Sequence, residues 1–394
     1  MYVLYWPVFL KLMLRMFTPR YFRPKFVIFV GFIIIPAILV FRLIVVVFQA
    51  LDYILFPGFL RQEVKQPLFI LSNPRSGSTF LHRMLENDEQ YTYLCLWQSL
   101  FNSITLYKLF AFIARIDKKV ASPMARLVDE VDRHFFKGWD GLHKAGLRYS
   151  EEDEFLFVSS FLAPGLVLFF PYLHEVDDIF SLDKLPDKAR ARIIKNFRLA
   201  VQRHVYATGG STFLAKNAVA GGRLGIYQEA FPDMRVIHIH SDILRSVASS
   251  LSVFSKPWSF HSPACYQRKY ESMSVIEMVR TNHQGIINHR HKFMPENSID
   301  IEYDQLVIDP EKTVMSIYQH FGMPLNNLYK ARLQEDCASA KTYKSTHKYS
   351  VEDYGFTDEE IILYFSKQPK KTKHTQLERT AGLQGAHSML KQIS

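Results

Sequence analysis

The chain of 394 residues is poor in cysteine, with only Cys95, Cys265 and Cys337. They are widely spaced and form no C-x-x-C pair, so they indicate neither a disulfide framework nor a cysteine zinc site. The sequence also contains no helix-turn-helix, zinc-finger or RNP pattern, and its basic residues are dispersed. We therefore expect no nucleic-acid partner. The net charge of +10 instead suits an anionic small molecule or an anionic membrane surface.

We do not expect the N-terminal segment to be a secretory signal peptide, because its long apolar stretch starts late and no small-residue cleavage site follows. Residues 26–41 carry no charge, Arg42 interrupts the stretch, and residues 43–47 resume it. Two interpretations stay open. One is a single-pass anchor with Arg42 snorkelling toward an interface, and the other is a membrane-embedded hairpin or interfacial helix pair bent at Pro36. Flanking basic and aromatic residues favour both over a helix pair buried in a soluble domain.

The most informative segment is residues 68–85, LFILSNPRSGSTFLHRML. The apolar run 68–71 fits a buried parallel strand, residues 72–79 form a small polar loop, and apolar residues then recur at helical spacing. A strand, a tight loop and a helix N-terminus in this order form an anion-binding site. The alternative is an ordinary strand–turn–helix whose hydroxyls only cap the helix. The residues predicted to bind a phosphate-like group are Arg75, Ser76, Gly77, Ser78 and Thr79.

This loop is not a nucleoside-triphosphatase loop, because G-x-x-x-x-G-K-[ST] would require Gly at position 72 and Lys at position 78, and both are Ser. It resembles the phosphosulfate-binding loop of sulfotransferases, P-[KR]-S-G-[ST]-T. The resemblance implies an α/β fold with a P-loop-like parallel sheet flanked by helices, here preceded by the N-terminal membrane-associated helical segment. It also implies 3′-phosphoadenosine-5′-phosphosulfate as co-substrate, with no metal expected.

Residues 213–251 are similar to a second sulfotransferase segment, in which a lysine precedes a strand that ends in R-D-P. Lys216 matches the lysine, which in the family lies near the transferring sulfonate, and Ser249 matches a serine that holds the 3′-phosphate. Ser241 replaces the arginine of this pattern, and Arg245, one helical turn before Ser249, is placed to supply the missing charge. Lys344 and His347 lie where the late segment of the family closes over the donor, so the resemblance implies that they complete the 3′-phosphate site; the alternative is an ordinary surface loop.

The closer resemblance is to a large bacterial group of sulfotransferases related to carbohydrate and tyrosyl-protein enzymes. It rests on motifs that occur in the expected order: the acidic segment 151–155, Tyr303, Leu306, Asp309–Pro310, Gly322–Met323–Pro324 and the segment 347–355.

The general base is not fixed by the sequence. Ala218 stands where cytosolic sulfotransferases carry a histidine, and Gln98 stands where related enzymes carry a glutamate. An amide cannot accept a proton at neutral pH. The candidates are therefore Glu151, Glu152 and Glu154, of which the resemblance favours Glu152, with His143 in reserve; the alternative for the three carboxylates is a solvated acidic helix start. Candidates for lining the acceptor site are His134, Trp139, His143 and Tyr149.

His238 and His240 alternate onto one face of a predicted strand, which is compatible with a metal site. No third ligand is evident in the sequence, so we interpret them as strand-end histidines.

Three functional hypotheses follow: a membrane-associated sulfotransferase acting on a hydrophobic, lipid or glycan acceptor, an ATP-dependent phosphotransferase using the same loop, and a non-catalytic, membrane-tethered family member. We expect a helical anchor or hairpin at residues 1–60, the sulfotransferase domain at 61–365, and a polar basic tail at 366–394. The absence of glycosylation sequons and a cytosolic donor favour attachment to the membrane with the catalytic domain on the cytoplasmic face.

Overall fold

The computed structural model describes residues 4–136, 146–210, 212–340 and 350–367. The chain divides after Phe356 into two compact units. In the second unit, Thr357 begins the helix Asp358–Ser366 with a capping box, since its hydroxyl accepts from the backbone N–H of Glu360 while the Glu360 carboxylate accepts from the N–H of Thr357.

The first unit contains a five-stranded parallel sheet in the order β2-β3-β1-β4-β5. Its central strand is buried along its whole length, which requires the continuous apolar run that the sequence shows there. The strand order reverses at this strand, so the crevice at its carboxyl end is where a ligand is expected in an open α/β sheet. The sheet confirms the predicted α/β fold. The strands are β1 (Leu68–Ser72), β2 (Tyr91–Tyr93), β3 (Thr212–Asn217), β4 (Arg235–His240) and β5 (Ser298–Glu302).

Helices flank the sheet, and others precede it along the chain. Several short 3₁₀ turns connect them between residues 164 and 184. The helices are α1 (Trp6–Met16), α2 (Pro24–Leu55), α3 (Ser78–Leu85), α4 (Leu96–Leu100), α5 (Ile104–Lys119), α6 (Pro123–Phe136), α7 (Phe155–Val158), α8 (Asp187–Thr208), α9 (Leu224–Ala230), α10 (Ile243–Ser255), α11 (Trp258–His261), α12 (Lys269–Arg290), α13 (Tyr303–Ile308), α14 (Pro310–His320), α15 (Asn327–Ala340) and α16 (Asp358–Ser366).

The apolar N-terminal stretch forms the helix α2, which runs without a break through Pro36. The interpretation of a hairpin bent at Pro36 is therefore wrong. A π-helical section, Val27–Ile34, lies just before this proline, and the wider turn accommodates a residue that has no N–H to donate. Among the described residues, α2 alone is long and apolar enough to cross a membrane by length and composition.

Helix α2 is tied to the rest of the first unit near both of its ends. Near its start, Phe26 stacks on His261 with the ring centroids 5.8 Å apart. Near its end, the Gln49 amide donates to the Asn102 carbonyl at 2.9 Å. Asp52 is fully buried one turn further on. The opposite face is apolar and exposed over most of the helix, at Ile28, Phe32, Ile33, Val40, Leu43, Ile44, Val47, Ile54 and Leu55.

Candidate functional site

The loop between β1 and α3 has a backbone that turns sharply twice. Arg75 has φ 66° and Gly77 has φ 77°, both in the left-handed region. At Gly77 a side chain would also be crowded, because a Cβ atom there would lie 3.2 Å from Leu306 and 3.3 Å from the Tyr303 ring. The glycine thus lets α3 begin immediately, with its free N–H groups directed into the loop.

Two other helices hold the loop in place. From α10, the Ser246 hydroxyl donates to the Pro74 carbonyl at 2.8 Å. From α12, the Asn282 amide donates to the Ser72 carbonyl at 2.9 Å and to the Asn73 side-chain oxygen at 3.0 Å. Asn282 was missed by the sequence analysis. An isolated asparagine about two hundred residues after the loop gives no signal until the fold brings the two together.

Lys216 lies near the end of β3 and is completely buried. Its ammonium group donates to the Thr79 hydroxyl in the first turn of α3 at 3.0 Å. The register of the sheet places Lys216 beside Ile70, in the strand that leads into the loop. A buried ammonium group next to the positive end of a helix needs an anion to balance it, so the loop and Lys216 together form a site for a multiply charged anion.

Ser241, which replaces the arginine of the sulfotransferase pattern, contacts the loop directly. Its hydroxyl lies 2.7 Å from that of Ser76, which itself donates to the Asn73 carbonyl. The turn after β4 and the loop after β1 are therefore joined through two neutral hydroxyls.

Arg245 and Ser249 follow on α10. The Arg245 guanidinium donates to the Tyr303 hydroxyl at 3.2 Å and lies 4.7 Å from the centre of its ring, and the same ring borders Gly77. Arg245 therefore brings positive charge to the edge of the loop. Ser249 is 1% exposed, and its hydroxyl has no hydrogen-bond partner in the described part of the chain. A buried hydroxyl without a partner fits a site that an oxygen-rich ligand completes.

Two of the acidic residues in the segment before α7 have well-defined partners. Glu154 forms an ion pair with the buried Arg223 and accepts from the Gly165 N–H at 2.9 Å. Asp153 accepts from the Asn217 amide at 2.6 Å and from the Tyr227 hydroxyl at 2.5 Å. These two carboxylates hold the segment in place. The sequence-based choice among Glu151, Glu152 and Glu154 thereby narrows, because Glu154 is committed to its arginine.

Glu152 is different, because its carboxylate accepts no hydrogen bond from any residue that the structure describes. Burial raises the pKa of Glu152 to about 7, and the neighbouring carboxylates add to the rise while the Lys216 ammonium opposes it. A carboxylate that titrates near neutral pH beside a buried lysine has the properties of a general base.

The other positions considered in the sequence analysis have three different outcomes. His134 and Tyr149 are exposed. Gln98 is a capping residue, since its side-chain oxygen accepts from the Cys95 N–H at 2.9 Å at the start of α4. His143, Trp139, Lys344 and His347 lie outside the described residues.

His238 and His240 do have a third potential ligand, contrary to the sequence-based interpretation. Asp300 on β5 places one carboxylate oxygen 3.1 Å from His238 Nδ1 and 2.8 Å from His240 Nε2. This contact was not predictable from the local pattern, because Asp300 lies sixty residues after His240 and only the strand register brings the two together.

Comparison with known proteins decides between the functional hypotheses. A model described as the sulfotransferase family matches residues 67–327, which is more than half of the chain. The chain belongs to the sulfotransferase family. This makes the protein an enzyme, a sulfotransferase, and removes the phosphotransferase and the non-catalytic binding protein from consideration.

Among individual proteins, the sulfotransferase is 24% identical over 307 residues to "Omega-hydroxy-beta-dihydromenaquinone-9 sulfotransferase Stf3" of Mycobacterium bovis and of Mycobacterium tuberculosis. The match covers 74% of this chain and 72% of each relative. Two crystal structures show the same fold at 20% identity. Sulfotransferase STF1 from Mycobacterium tuberculosis has a TM-score of 0.64, with 84% of both chains covered, and STF9 from Mycobacterium avium has 0.65, with 81% of this chain and 80% of that one covered.

Proposed function

We propose that this sulfotransferase moves a sulfonate group from 3′-phosphoadenosine-5′-phosphosulfate to a hydroxyl of a hydrophobic, lipid-like acceptor at a membrane surface. The observation that carries the proposal is the buried Lys216 bonded to Thr79 in the anion-binding loop, with Glu152 close enough for the lysine to shift its pKa.

The donor fits the residues around the loop. The N–H groups at the start of α3, with Arg75, Lys216 and Thr79, would hold the 5′-phosphosulfate. Ser249, whose buried hydroxyl lacks a partner in the described chain, and Arg245 would hold the 3′-phosphate, with Ser241 contributing a hydroxyl beside them.

Sulfonate transfer breaks the bond between sulfur and the bridging phosphate oxygen and forms a bond between sulfur and the acceptor oxygen. Negative charge accumulates on the departing phosphate, where Arg75 and Lys216 neutralise it. The acceptor hydroxyl loses its proton, and Glu152 receives it. The charge that the transfer requires is supplied by these two cations, so the proposed reaction needs no metal.

Two observations support a lipid-like acceptor. The relative from Mycobacterium bovis is named for a hydroxylated menaquinone, and this chain shares its family and most of its length. The apolar, exposed face of α2 would bring the enzyme to the membrane in which such an acceptor is dissolved.

The attachment that we propose is monotopic. Helix α2 has 32 residues and is therefore about 48 Å long. Because contacts near both of its ends bind it to the same compact unit, the helix lies along the protein, and only its outward face is available to the bilayer. We assign residues 1–60 to the membrane-associated segment, 61–365 to catalysis and 366–394 to a polar basic tail. A cytosolic donor supports a catalytic domain on the cytoplasmic face.

The test combines binding with turnover. The purified protein in detergent is titrated calorimetrically with 3′-phosphoadenosine-5′-phosphate, beside Arg75→Ala, the exposed control Arg61→Ala, and ATP with magnesium. Binding of the bisphosphate that is lost only in Arg75→Ala supports the donor. Preference for ATP with magnesium would overturn it.

Transfer is then followed with radiolabelled donor in vesicles that contain either a hydroxylated isoprenoid quinone or a short water-soluble alcohol. Labelling of the lipid alone supports the acceptor class. Labelling of the soluble alcohol at equal efficiency would overturn that part and leave the donor assignment intact.

A further inference from the structure

A cluster of two histidines and one aspartate lies on a single face of the sheet. His238 and Asp300 are register partners in the parallel strands β4 and β5, and His240 lies two residues further along β4 on the same face. Their side chains are 12%, 36% and 32% exposed, respectively. All three are therefore close to solvent while their positions are set by regular backbone.

The distances within the cluster are close to those of a metal site. The three potential ligand atoms lie within 4.8 Å of one another, and Asp300 Oδ1 lies 2.8 Å and 3.1 Å from the two imidazole nitrogens. Ligand atoms of a tetrahedral zinc ion, with bonds of about 2.1 Å, are separated by roughly 3.4 Å. Small side-chain rotations would suffice to replace the shared contact to Asp300 Oδ1 with an ion.

Arg290 prepares the carboxylate for this role. Its guanidinium binds Asp300 Oδ2, which leaves Oδ1 directed at the two imidazoles. A hydrogen-bonded partner on the second oxygen of a ligating carboxylate is a regular feature of metal sites, where it fixes the orientation of the ligand.

We propose that His238, His240 and Asp300 bind a divalent transition-metal ion of the zinc class. Two imidazole nitrogens and one carboxylate oxygen match the ligand preference of such ions, and water completes the coordination. The ion would join β4 to β5, which is one of the two edge strands of the described sheet. It also fixes His240, the residue directly before Ser241. Ser241 in turn connects the turn after β4 to the anion-binding loop. The role is structural, and the inference is independent of the proposed reaction.

The experiment uses the full chain in detergent, stripped with a chelator and titrated with Zn²⁺ by calorimetry and with Co²⁺ by visible absorption. We expect one saturable site, and a Co²⁺ spectrum with the intensity of a four- or five-coordinate ion. The variants His240→Ala and Asp300→Asn should each lower the affinity at least tenfold. His320→Ala serves as the matched control, because it removes a histidine whose ring bonds only the Pro295 carbonyl among the described residues.

A second readout protects the test against variants that fold poorly. Bound Zn²⁺ should raise the melting temperature of the wild type and of His320→Ala, and should leave that of His240→Ala unchanged. Absence of a saturable site would overturn the proposal. So would equal affinity in His240→Ala and the wild type, because the metal would then be held elsewhere.

Discussion

The Lys216 ammonium donates to the Thr79 hydroxyl at 3.0 Å and thereby joins the end of β3 to the first turn of the helix that follows β1. The charge is held in position before any ligand arrives, since the lysine is completely buried. Little reorganisation is then needed when negative charge develops on the phosphate.

We predict that Lys216→Met lowers kcat/KM at least a hundredfold, the loss typical of removing one preorganised charge-stabilising donor. The folded protein should be as stable as the wild type or more stable, because an apolar side chain of similar size replaces a buried charge. The matched control is Lys195→Met, an exposed lysine on α8. A large loss of stability with retained turnover would contradict the assignment.

The position of Glu152 predicts how the catalytic rate depends on pH. Because burial raises its pKa to about 7, kcat/KM should be low at pH 5.5, rise through neutrality and level off above pH 8. Glu152→Gln should abolish this rise and reduce turnover by a factor of about 10²–10⁴. A pH profile of the residual activity that still rises near pH 7 would assign the base to another residue.

The same carboxyl group makes an independent prediction for stability. A raised pKa means that the native state binds this proton more tightly than the unfolded chain, so stability is lost as pH rises from about 4.5 through 7. Glu152→Gln should therefore stabilise the protein by about 1–3 kcal/mol at pH 8 and have no effect near pH 4. Thermal melts at the two pH values measure the difference.

Ser249→Ala separates ligand binding from folding. In the free protein the substitution removes a buried hydroxyl that lacks a partner in the described chain, so the melting temperature should stay constant or rise. Affinity for 3′-phosphoadenosine-5′-phosphate should fall about 10–100-fold, the value of one hydrogen bond to a charged group. For 5′-AMP, which lacks the 3′-phosphate, calorimetry should give the same affinity for the variant and the wild type.

The exposed face of α2 predicts membrane binding. Phe32→Asp combined with Leu43→Asp places charge on that face and should abolish flotation with anionic vesicles while leaving nucleotide affinity unchanged. Ile308→Asp is the control, since Ile308 is also an exposed apolar residue and lies at the end of α13, away from α2 in the sequence. Flotation of the double variant at the wild-type level would show that another surface makes the attachment.

Local chemistry explains what the sequence could predict. The apolar run at β1, the glycine that permits a left-handed turn, and the hydroxyls that follow it are consecutive, so strand, loop and helix are readable from one segment. Lys216 and Ser249 could be proposed because the family resemblance fixes their distance from a strand. Only the structure shows that the Lys216 ammonium binds the Thr79 hydroxyl, and that the Ser249 hydroxyl has no hydrogen-bond partner among the described residues.

The contacts that sequence reasoning missed connect distant segments. Asn282 binds the loop from more than two hundred residues away, and Asp300 meets His238 only through strand register. The path of α2 through Pro36 was also unpredictable from helix propensity, since a π-helical section absorbs the proline's missing N–H. In each case tertiary geometry supplies what the local pattern leaves open.

The fully buried Asp52 belongs to the apolar N-terminal helix, yet it accepts from the Arg203 guanidinium at 3.1 Å and from the Ser103 and Thr105 hydroxyls at 2.9 and 2.8 Å. Deleting the first sixty residues to obtain a soluble enzyme would remove this counter-ion together with Tyr53 and Phe59, whose rings lie against the Arg203 guanidinium, and would uncover the part of α8 that carries the arginine. A water-soluble variant is better obtained by substituting polar residues for the exposed apolar residues on the outward face of α2. The N-terminal segment, which by sequence resembles a membrane anchor that could be removed, is an integral part of the folded enzyme.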